Sequence, residues 1–299
     1  MSIIELSHVG KQFGKFAAVS DLSLTVEKGE FFGFIGPNGA GKSTTMNMIL
    51  HFIKRSTGTI KLFGQSMPEA GVSVKKRIGY MPSDVRFYSQ LRVEEIIHYT
   101  LDFHHMRGDS KELEEYFSLF EIDQKKKFGD LSLGNKKKIA IVCALLHHPE
   151  LLILDEPTNG LDPLMHARLF QLLKEKQKQG VTIFLSSHNL KEVEDFCSKV
   201  AFIKAGHLMG IEDLTAVNNK IKVITLKGDH LPIEQMKAIG AECVKQTEGT
   251  AKFTYNQDLP KLFELLAAIS TDLDDVTIDN RDLEEQFMAM YENQEAIRS

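Results

Sequence analysis

The sequence predicts an α/β fold with a mixed sheet, followed by a small α+β domain, and three observations support this. Short apolar runs typical of buried strands alternate with helical periodicity over the first two thirds of the chain. A glycine-rich loop lies between one such strand and the helix after it. Beyond Gly210 the predicted elements follow the order β-α-β-β-α-β, which is typical of a split βαβ, ferredoxin-like domain. We expect domain boundaries at residues 1–215 and 216–299.

Bulk composition limits the function classes. The chain has 299 residues, 42% of them hydrophobic, enough to bury a substantial core. Its net charge of -5 gives no reason to expect a nucleic-acid partner. Three cysteines without paired spacing argue against a disulfide framework or a zinc site and fit a reducing cytosol. The longest apolar run, Ile139 to Leu146, is far below the roughly 18 to 20 residues that span a bilayer, so we expect any membrane role to come through a partner.

The first 26 residues predict two strands. Apolar residues at Ile3 to Leu6 and at Leu22 to Val26 favour strands, and Gly10 to Phe16 is the expected exposed connection. Phe31 to Ile35 follows as a short buried strand.

The glycine-rich loop fits the pattern G-x-x-x-x-G-K-[ST], with a predicted helix from Thr44 to Phe52 after it. Its glycines let backbone N–H groups face phosphates, Lys42 reaches the β- and γ-phosphates, and Ser43 can ligate Mg²⁺. A glycine-rich turn that merely contains a lysine is the alternative, which the flanking strand and helix disfavour. The predicted nucleotide-binding residues of this phosphate loop are Gly36, Pro37, Asn38, Gly39, Ala40, Gly41, Lys42, Ser43 and Thr44.

The middle of the chain predicts a helical insert between strands. Strands are expected at Ile60 to Phe63 and Ile78 to Met81. From there the periodicity becomes helical, with three helices expected between residues 92 and 148.

Polar residues follow two further predicted strands. Leu151 to Leu154 ends in Asp155 and Glu156, and Val181 to Leu185 ends near His188, with a helix predicted from Pro163 to Lys178 between them. Ligands of open α/β sheets bind at the carboxyl ends of strands. We therefore expect Asp155 to hold Mg²⁺, Glu156 to orient or deprotonate a water, and His188 to contact the γ-phosphate. Acidic loop residues and a structural histidine are the alternatives.

The predicted second domain ends in an amphipathic helix, Asp282 to Tyr291, which we expect to pack on its own domain. The other predicted elements of this domain are strands at Ile221 to Leu226, Glu242 to Gln246, Ala251 to Tyr255 and Val276 to Ile278, with helices at Ile233 to Ile239 and Leu259 to Ile269.

Over residues 2–215 the order and spacing of these motifs resemble the ATPase subunits of ABC transporters. The resemblance implies a P-loop NTPase fold of the ABC type and an ATP-binding, Mg²⁺-dependent enzyme in which Lys42, Glu156 and His188 are catalytic. The matching elements are Phe13 as the aromatic that stacks on adenine, Gly36 to Thr44 as Walker A, Leu151 to Glu156 as Walker B, Asn159 to Asp162 as the D-loop, and His188 as the switch histidine.

Leu131 to Asn135 resembles the LSGGQ signature that distinguishes this family, and we call it the signature loop. The resemblance implies a head-to-tail dimer in which Ser132 and the amide of Gly134 contact the γ-phosphate bound by the other subunit. The second subunit is a copy of this chain or a paralogue. Leu133 replaces the first glycine, and its side chain limits close approach to phosphate. The lysines at 136–138 either face the partner's phosphate or form a solvated basic face.

A second departure is Ser83, where the family has its Q-loop glutamine. Ser83 is too short to reach Mg²⁺ as glutamine does, so a water fills in or Asp84 reaches instead. The segment Ser83 to Leu91, with Arg86, Phe87 and Tyr88, is where the family docks a permease helix; a plain solvent loop is the alternative.

The C-terminal domain and Asp282 to Phe287 resemble the ends of ATPase subunits from ABC-2-type bacterial exporters. This implies a cytoplasmic ATPase at the inner face of the membrane that drives a separate permease and exports a drug, antimicrobial peptide or similar amphipathic substrate. An ATP-dependent dimerisation switch with weak hydrolysis is the first alternative. A second alternative is a soluble ABC ATPase of translation or DNA repair, but such proteins have tandem nucleotide domains or a long coiled-coil insert, and this sequence shows neither. A GTPase is disfavoured because the sequence contains no N-K-x-D base-recognition motif.

Overall fold

The computed structural model describes residues 1–67, 69, 71–106, 110–217, 222–269 and 273–280. The chain divides into two compact units, Met1–Ile211 and Glu212–Ser299. In the described part of the chain, no helix is long and apolar enough to cross a membrane.

The first unit opens with a long hairpin, β1 (Ser2–Phe13) and β2 (Phe16–Glu27). The segment predicted as an exposed connection, Gly10 to Phe16, is exposed from Gln12 onward, but most of it is strand, because the hairpin turn is only two residues. Polar residues continue the ladder to the pair Phe13–Phe16. Backbone pairing sustains these strands beyond the apolar residues that periodicity detects. The hairpin joins β4 (Thr57–Leu62) and β5 (Gln65–Ser66) in a four-stranded sheet of order β2-β1-β4-β5.

A six-stranded sheet forms the centre of this unit. Three of its strands are buried at every residue, as expected for strands covered on both faces. Parallel pairing joins four of its five neighbouring pairs and brings the carboxyl ends of the buried strands to one edge. In spatial order the strands are β10 (His207–Asp213), β9 (Lys199–Lys204), β3 (Phe31–Ile35), β8 (Thr182–Ser187), β7 (Leu151–Asp155) and β6 (Ile78–Met81).

The five helices predicted in the first unit are present with shifted ends; the one after the phosphate loop, for example, ends at Ile49 rather than Phe52. Two further short helices, Gly71–Lys75 and Leu190–Phe196, were not predicted. The helix after the phosphate loop begins at Lys42 rather than Thr44, because its first turn closes the loop. The helix predicted around Ile139 begins at Leu133 and is buried around most of its circumference. The helices are α1 (Lys42–Ile49), α2 (Gly71–Lys75), α3 (Val93–Phe103), α4 (Ser110–Phe120), α5 (Leu133–Leu145), α6 (Pro163–Lys178) and α7 (Leu190–Phe196).

The second unit contains a four-stranded antiparallel sheet of order β12-β13-β11-β14, which is the predicted split βαβ arrangement. Its core includes Ile224, Phe253, Tyr255 and Leu262. The predicted helix from Asp282 to Tyr291 lies outside the described residues. The elements are α8 (Leu214–Val217), β11 (Lys222–Lys227), α9 (Ile233–Ala238), β12 (Glu242–Thr247), β13 (Thr250–Tyr255), α10 (Leu259–Ile269) and β14 (Asp275–Asn280).

Candidate functional site

The phosphate loop connects β3 to α1, and neighbouring strands fix where its glycines stand. A β-carbon at Gly36 would lie 2.2 Å from the carbonyl oxygen of Ile203. Gly41 has a φ of 107°, and a β-carbon there would lie 2.7 Å from the carbonyl oxygen of Ala18. Only glycine fits these two positions, since any side chain would push the loop off β2 and β9.

Lys42 lies inside this loop and is 5% exposed. Its Nζ donates hydrogen bonds to the carbonyl oxygens of Gly36, at 2.6 Å, and Pro37, at 3.2 Å. The same Nζ lies 3.1 Å from Oε1 of Glu156. Lys42 therefore links the phosphate loop to the residue that follows β7.

Asp155 and Glu156 are held by the neighbouring strand β8. Asp155 is 1% exposed and accepts a hydrogen bond of 2.5 Å from Oγ of Ser186. The amide of Glu156 donates to the carbonyl oxygen of Ser186 and to its Oγ. Glu156 has a φ of 48°, in the left-handed region, which costs a non-glycine residue about 1–3 kcal/mol. Surrounding contacts must therefore maintain this backbone.

The Glu156 carboxylate is the centre of the site. Its Oε2 accepts a hydrogen bond from Nδ2 of Asn159 in the D-loop and lies 3.4 Å from Nδ1 of His188. Burial alone would raise the pKa of Glu156, but the Lys42 ammonium, the His188 ring and the Asn159 amide together lower it below its usual value. The carboxylate is thus ionised at neutral pH. We call Lys42, Asp155, Glu156, Asn159 and His188 the strand-end cluster.

Behind His188 lies a second carboxylate that the sequence analysis did not single out. Glu192, which is 7% exposed, accepts hydrogen bonds from Oγ of Ser187, at 2.9 Å, and Oγ1 of Thr158, at 3.2 Å. Its other oxygen lies 2.9 Å from Nε2 of His166 and 3.3 Å from Nδ2 of Asn189. Glu192 therefore joins the segments before the D-loop and around His188 to α6.

The signature loop packs on the D-loop of its own chain. A β-carbon at Gly134 would lie 2.3 Å from the carbonyl oxygen of Gly160, so this position requires glycine. Leu133, 55% exposed, extends toward Gly160. Ser132 caps α5, because its side chain accepts a hydrogen bond from the amide of Asn135. The predicted contacts of Ser132 and Gly134 with a partner's nucleotide stay a prediction.

The three lysines after the signature loop do not form the solvated basic face that was one of the two expectations. Lys137 and Lys138 are buried, and Nζ of Lys136 lies 5.3 Å from the centre of the Phe128 ring. Nζ of Lys137 donates a hydrogen bond to the carbonyl oxygen of Glu156. Burial lowers the pKa of Lys137, and the charges of Glu156 and Asp155 oppose this lowering without reversing it. Helix periodicity alone could have predicted that Lys137 lies on the same face of α5 as Gly134. It could not have predicted the contact of Lys137 with Glu156 at the end of β7.

Two predicted residues lie apart from the strand-end cluster. Phe13 is at the end of β1, half exposed, with Nζ of Lys11 4.6 Å from its ring centre. Its ring is available for stacking, and its role with adenine stays a prediction. Asp84 is paired with Arg86, whose Nη2 lies 2.6 Å from Oδ2 of Asp84. Because Asp84 is paired with Arg86, it is a less suitable replacement for the Q-loop glutamine, whose own position is occupied by Ser83.

The available oxygen donors fit Mg²⁺ bound together with a nucleotide. In the described part of the chain, His, Cys, Asp and Glu side chains form no cluster of three that could hold a metal by themselves. Mg²⁺ next to phosphates needs only one or two protein oxygens. The Asp155 carboxylate, buried at the end of β7, and the exposed Ser43 hydroxyl at the start of α1 offer such oxygens.

Comparisons with known proteins decide the family. The model of the ABC transporter family matches residues 19–159. The bacitracin transport ATP-binding protein BcrA of Bacillus licheniformis is 38% identical over 211 residues, which are 70% of this chain and 69% of BcrA. The chain belongs to the ABC transporter family. It binds ATP and is an ATPase.

Two further relatives of this ABC ATPase come from Bacillus subtilis strain 168. The linearmycin resistance ATP-binding protein LnrL is 33% identical, covering 73% of this chain and 72% of LnrL. The uncharacterized ABC transporter ATP-binding protein YhcH is 30% identical over 295 residues, which are 97% of this chain and 96% of YhcH. The similarity to YhcH therefore extends across both units.

Solved ABC cassettes share the fold of the first unit. The cassette MJ0796, solved as a dimer, is 26% identical with a TM-score of 0.64 and covers 71% of this chain and 99% of its own. The same cassette in a post-hydrolysis state with ADP and Pi is 25% identical with a TM-score of 0.64 over the same shares of the two chains. The predicted P-loop NTPase fold of the ABC type is confirmed.

Proposed function

We propose that this ABC ATPase is the energy-supplying subunit of an exporter, which dimerises around two ATP molecules and drives a separate membrane permease. The observation that carries the proposal is the contact of one ionised carboxylate, Glu156, with Lys42, Asn159 and His188 at the end of β7. BcrA and LnrL are named for bacitracin transport and linearmycin resistance, which supports a drug or antimicrobial peptide as the substrate class.

The strand-end cluster supplies the groups that phosphate hydrolysis needs. Glu156 is ionised and able to accept a proton or a hydrogen bond from an attacking water. Lys42 carries the charge that binds the β- and γ-phosphates, and His188, half exposed beside Glu156, is available for the γ-phosphate. Catalysis of this kind is mainly positioning and electrostatic stabilisation. Asp155 and Ser43 would hold Mg²⁺, which neutralises phosphate charge when bound.

The composite site would be completed by the signature loop of a second subunit. Ser132 and Leu133 are exposed at the start of α5, where helix N-terminal amides favour an anion. The adenine would stack on Phe13, whose ring is half exposed.

The permease would bind at an apolar groove on the helical insert. The groove has a volume of about 520 Å³ and includes Tyr88, Tyr99 and Phe103, which are 83%, 61% and 77% exposed. We call these three residues the aromatic surface. Phe87 also lines the groove but packs edge-on against Phe128, with ring centres 5.2 Å apart. A cytoplasmic helix of the permease would cover this apolar area, which places the ATPase at the inner face of the membrane without membrane contact of its own.

The proposal is tested by Glu156→Gln, which preserves the shape of the side chain and removes its charge. With Mg-ATP this variant should run as a dimer in size exclusion, because ATP is bound but not hydrolysed, and it should still co-purify with a co-expressed permease. A monomer with unchanged hydrolysis would contradict the role of Glu156. Normal dimerisation without any associated permease would leave the alternative, an ATP-dependent switch.

A further inference from the structure

Lys137 is a buried cation that the proposed mechanism leaves without a role. It lies at the fifth position of α5, is 1% exposed, and donates a hydrogen bond to the carbonyl oxygen of Glu156. The lysine thus connects the helix of the signature loop to the residue proposed as the base, within one chain.

Helix stability and packing do not account for a lysine here. A buried ammonium loses its hydration, and lysine gives no helix-stabilising advantage over methionine or leucine at an interior helix position. An apolar residue of similar length would fill the same space without the cost of lost hydration. The compensating interactions lie outside α5, namely the Glu156 carbonyl oxygen and the negative charges of Asp155 and Glu156.

The Glu156 peptide is where such an interaction matters. Its φ of 48° is unfavourable for glutamate, so the backbone conformation needs external support. Ser186 on β8 accepts hydrogen bonds from the Glu156 amide, and Lys137 on α5 donates to the Glu156 carbonyl. The amide and the carbonyl group of Glu156 are thus held by two different elements, β8 and α5. The direction of the side chain follows from that backbone.

We propose that Lys137 is a positioning residue for the reaction: it fixes the peptide of Glu156 so that the carboxylate is held against Lys42, Asn159 and His188. The inference rests on the proposed function, because it assumes that Glu156 acts on the attacking water. Lys137 does not touch the nucleotide in this account and acts only through Glu156.

The test is a double-variant cycle on the full-length chain, measured as release of labelled phosphate in a single turnover, with the chain in saturating excess over Mg-ATP. Lys137→Met removes the donor and keeps the length of the side chain, and we expect it to slow hydrolysis by about 10- to 100-fold, the range that small misplacements of a catalytic group produce. ATP affinity should stay unchanged. Lys137→Arg keeps a donor and should retain more activity than Lys137→Met. Lys136→Met is the matched control, because it removes the same charge from the same helix without a contact to Glu156.

The double variant shows whether Lys137 affects hydrolysis through Glu156. If Lys137 acts through Glu156, adding Lys137→Met to Glu156→Gln should slow hydrolysis no further. Losses that multiply would overturn the inference and leave the proposed function intact. Wild-type turnover in Glu156→Gln alone would overturn the proposed role of Glu156 and the inference with it. Equal losses in Lys137→Met and Lys137→Arg would assign Lys137 to packing, and so would unfolding of Lys137→Met together with normal activity in Lys137→Leu, which also lacks a donor.

Discussion

The end of β7 buries charged groups, whereas the aromatic surface of the helical insert exposes apolar ones. Lys42 and Asp155 are 5% and 1% exposed, while Tyr88 and Phe103 are 83% and 77% exposed. Charged residues are rarely fully buried, and large contiguous apolar patches are rarely left exposed, unless they have a partner or a function. In the proposed function this contrast separates chemistry from docking: the buried charges with fixed partners act on ATP, and the exposed rings would bind the permease.

The largest effect is expected from Lys42→Met, which tests whether the buried charges bind ATP without affecting docking. The substitution removes a buried ammonium that contacts Gly36, Pro37 and Glu156, and charge-assisted hydrogen bonds contribute about 1.5–3 kcal/mol each. We expect ATP affinity, measured by equilibrium binding, to fall about 10- to 100-fold. Permease recovery without nucleotide should stay unchanged. Lys178→Met, at the exposed end of α6, is the control; equal losses in both variants would show a general effect of charge.

The aromatic surface is tested by the double variant Tyr99→Ala and Phe103→Ala. Exposed aromatic residues that become buried in an interface often account for about 2 kcal/mol or more each, so co-purified permease should fall at least about tenfold. ATP affinity of the isolated chain should not change. Val72→Ala removes an exposed apolar side chain elsewhere and should have no effect. Full recovery of the permease with the double variant would place the docking surface elsewhere.

A smaller effect is expected at Glu192, which supports the strand-end cluster without belonging to it. Glu192→Gln keeps the shape but replaces the acceptor that Ser187, Thr158 and His166 share. We expect kcat to fall about 5-fold, well below the roughly 100-fold loss that a 1 Å displacement of a catalytic group can cause. The free energy of unfolding should fall by about 1–3 kcal/mol in urea titrations. Glu175→Gln on the exposed side of α6 is the control, and an equal effect there would exclude a specific support role.

The smallest effect is expected at His147, a partly buried histidine outside the strand-end cluster. The His147 ring stacks on His104, its Nε2 donates to the carbonyl oxygen of Ile78, and its Nδ1 has no hydrogen-bond partner within the described ranges. Burial, and next the nearby His104, lower the pKa of His147 to about 4. In the unfolded chain His147 becomes protonated near pH 6.5, whereas in the folded chain it stays neutral down to about pH 4. The free energy of unfolding therefore decreases as the pH falls from about 6.5 to 4.

Replacing His147 with glutamine, which can keep the hydrogen bond to Ile78, should reduce this decrease in the free energy of unfolding at acidic pH. Allowing for the partial exposure of His147, the wild type should lose about 1 kcal/mol more than His147→Gln between pH 7 and pH 5. Urea unfolding at the two pH values measures the difference. Identical pH profiles would show that His147 does not titrate with folding in this range.

The sequence alone predicted the elements whose patterns are local. Continuous apolar runs identified β3, β7 and β8, and Pro163 with the helical spacing after it identified α6. The glycine pattern predicted the phosphate loop, because its glycine, lysine and serine positions lie within nine consecutive residues. These features depend on residues close together in the chain.

What the sequence could not predict depends on contacts between distant segments. Lys137 and Glu156 are 19 positions apart, and nothing in a run of three lysines indicates that the middle one reaches β7. Glu192 joins elements separated by 34 positions. The hairpin beyond Gly10 was missed for a related reason, since paired backbone rather than side-chain pattern extends it.

The proposed function depends above all on the strand-end cluster, where Glu156 would act on the water that attacks ATP. The direct measurement is phosphate release from Mg-ATP by the wild-type chain and by Glu156→Gln, with bound ATP quantified in the same samples. We expect repeated turnover by the wild type and a rate lower by about 10²- to 10⁴-fold in the variant, which should still bind ATP. Equal rates in the two proteins would contradict this role of Glu156.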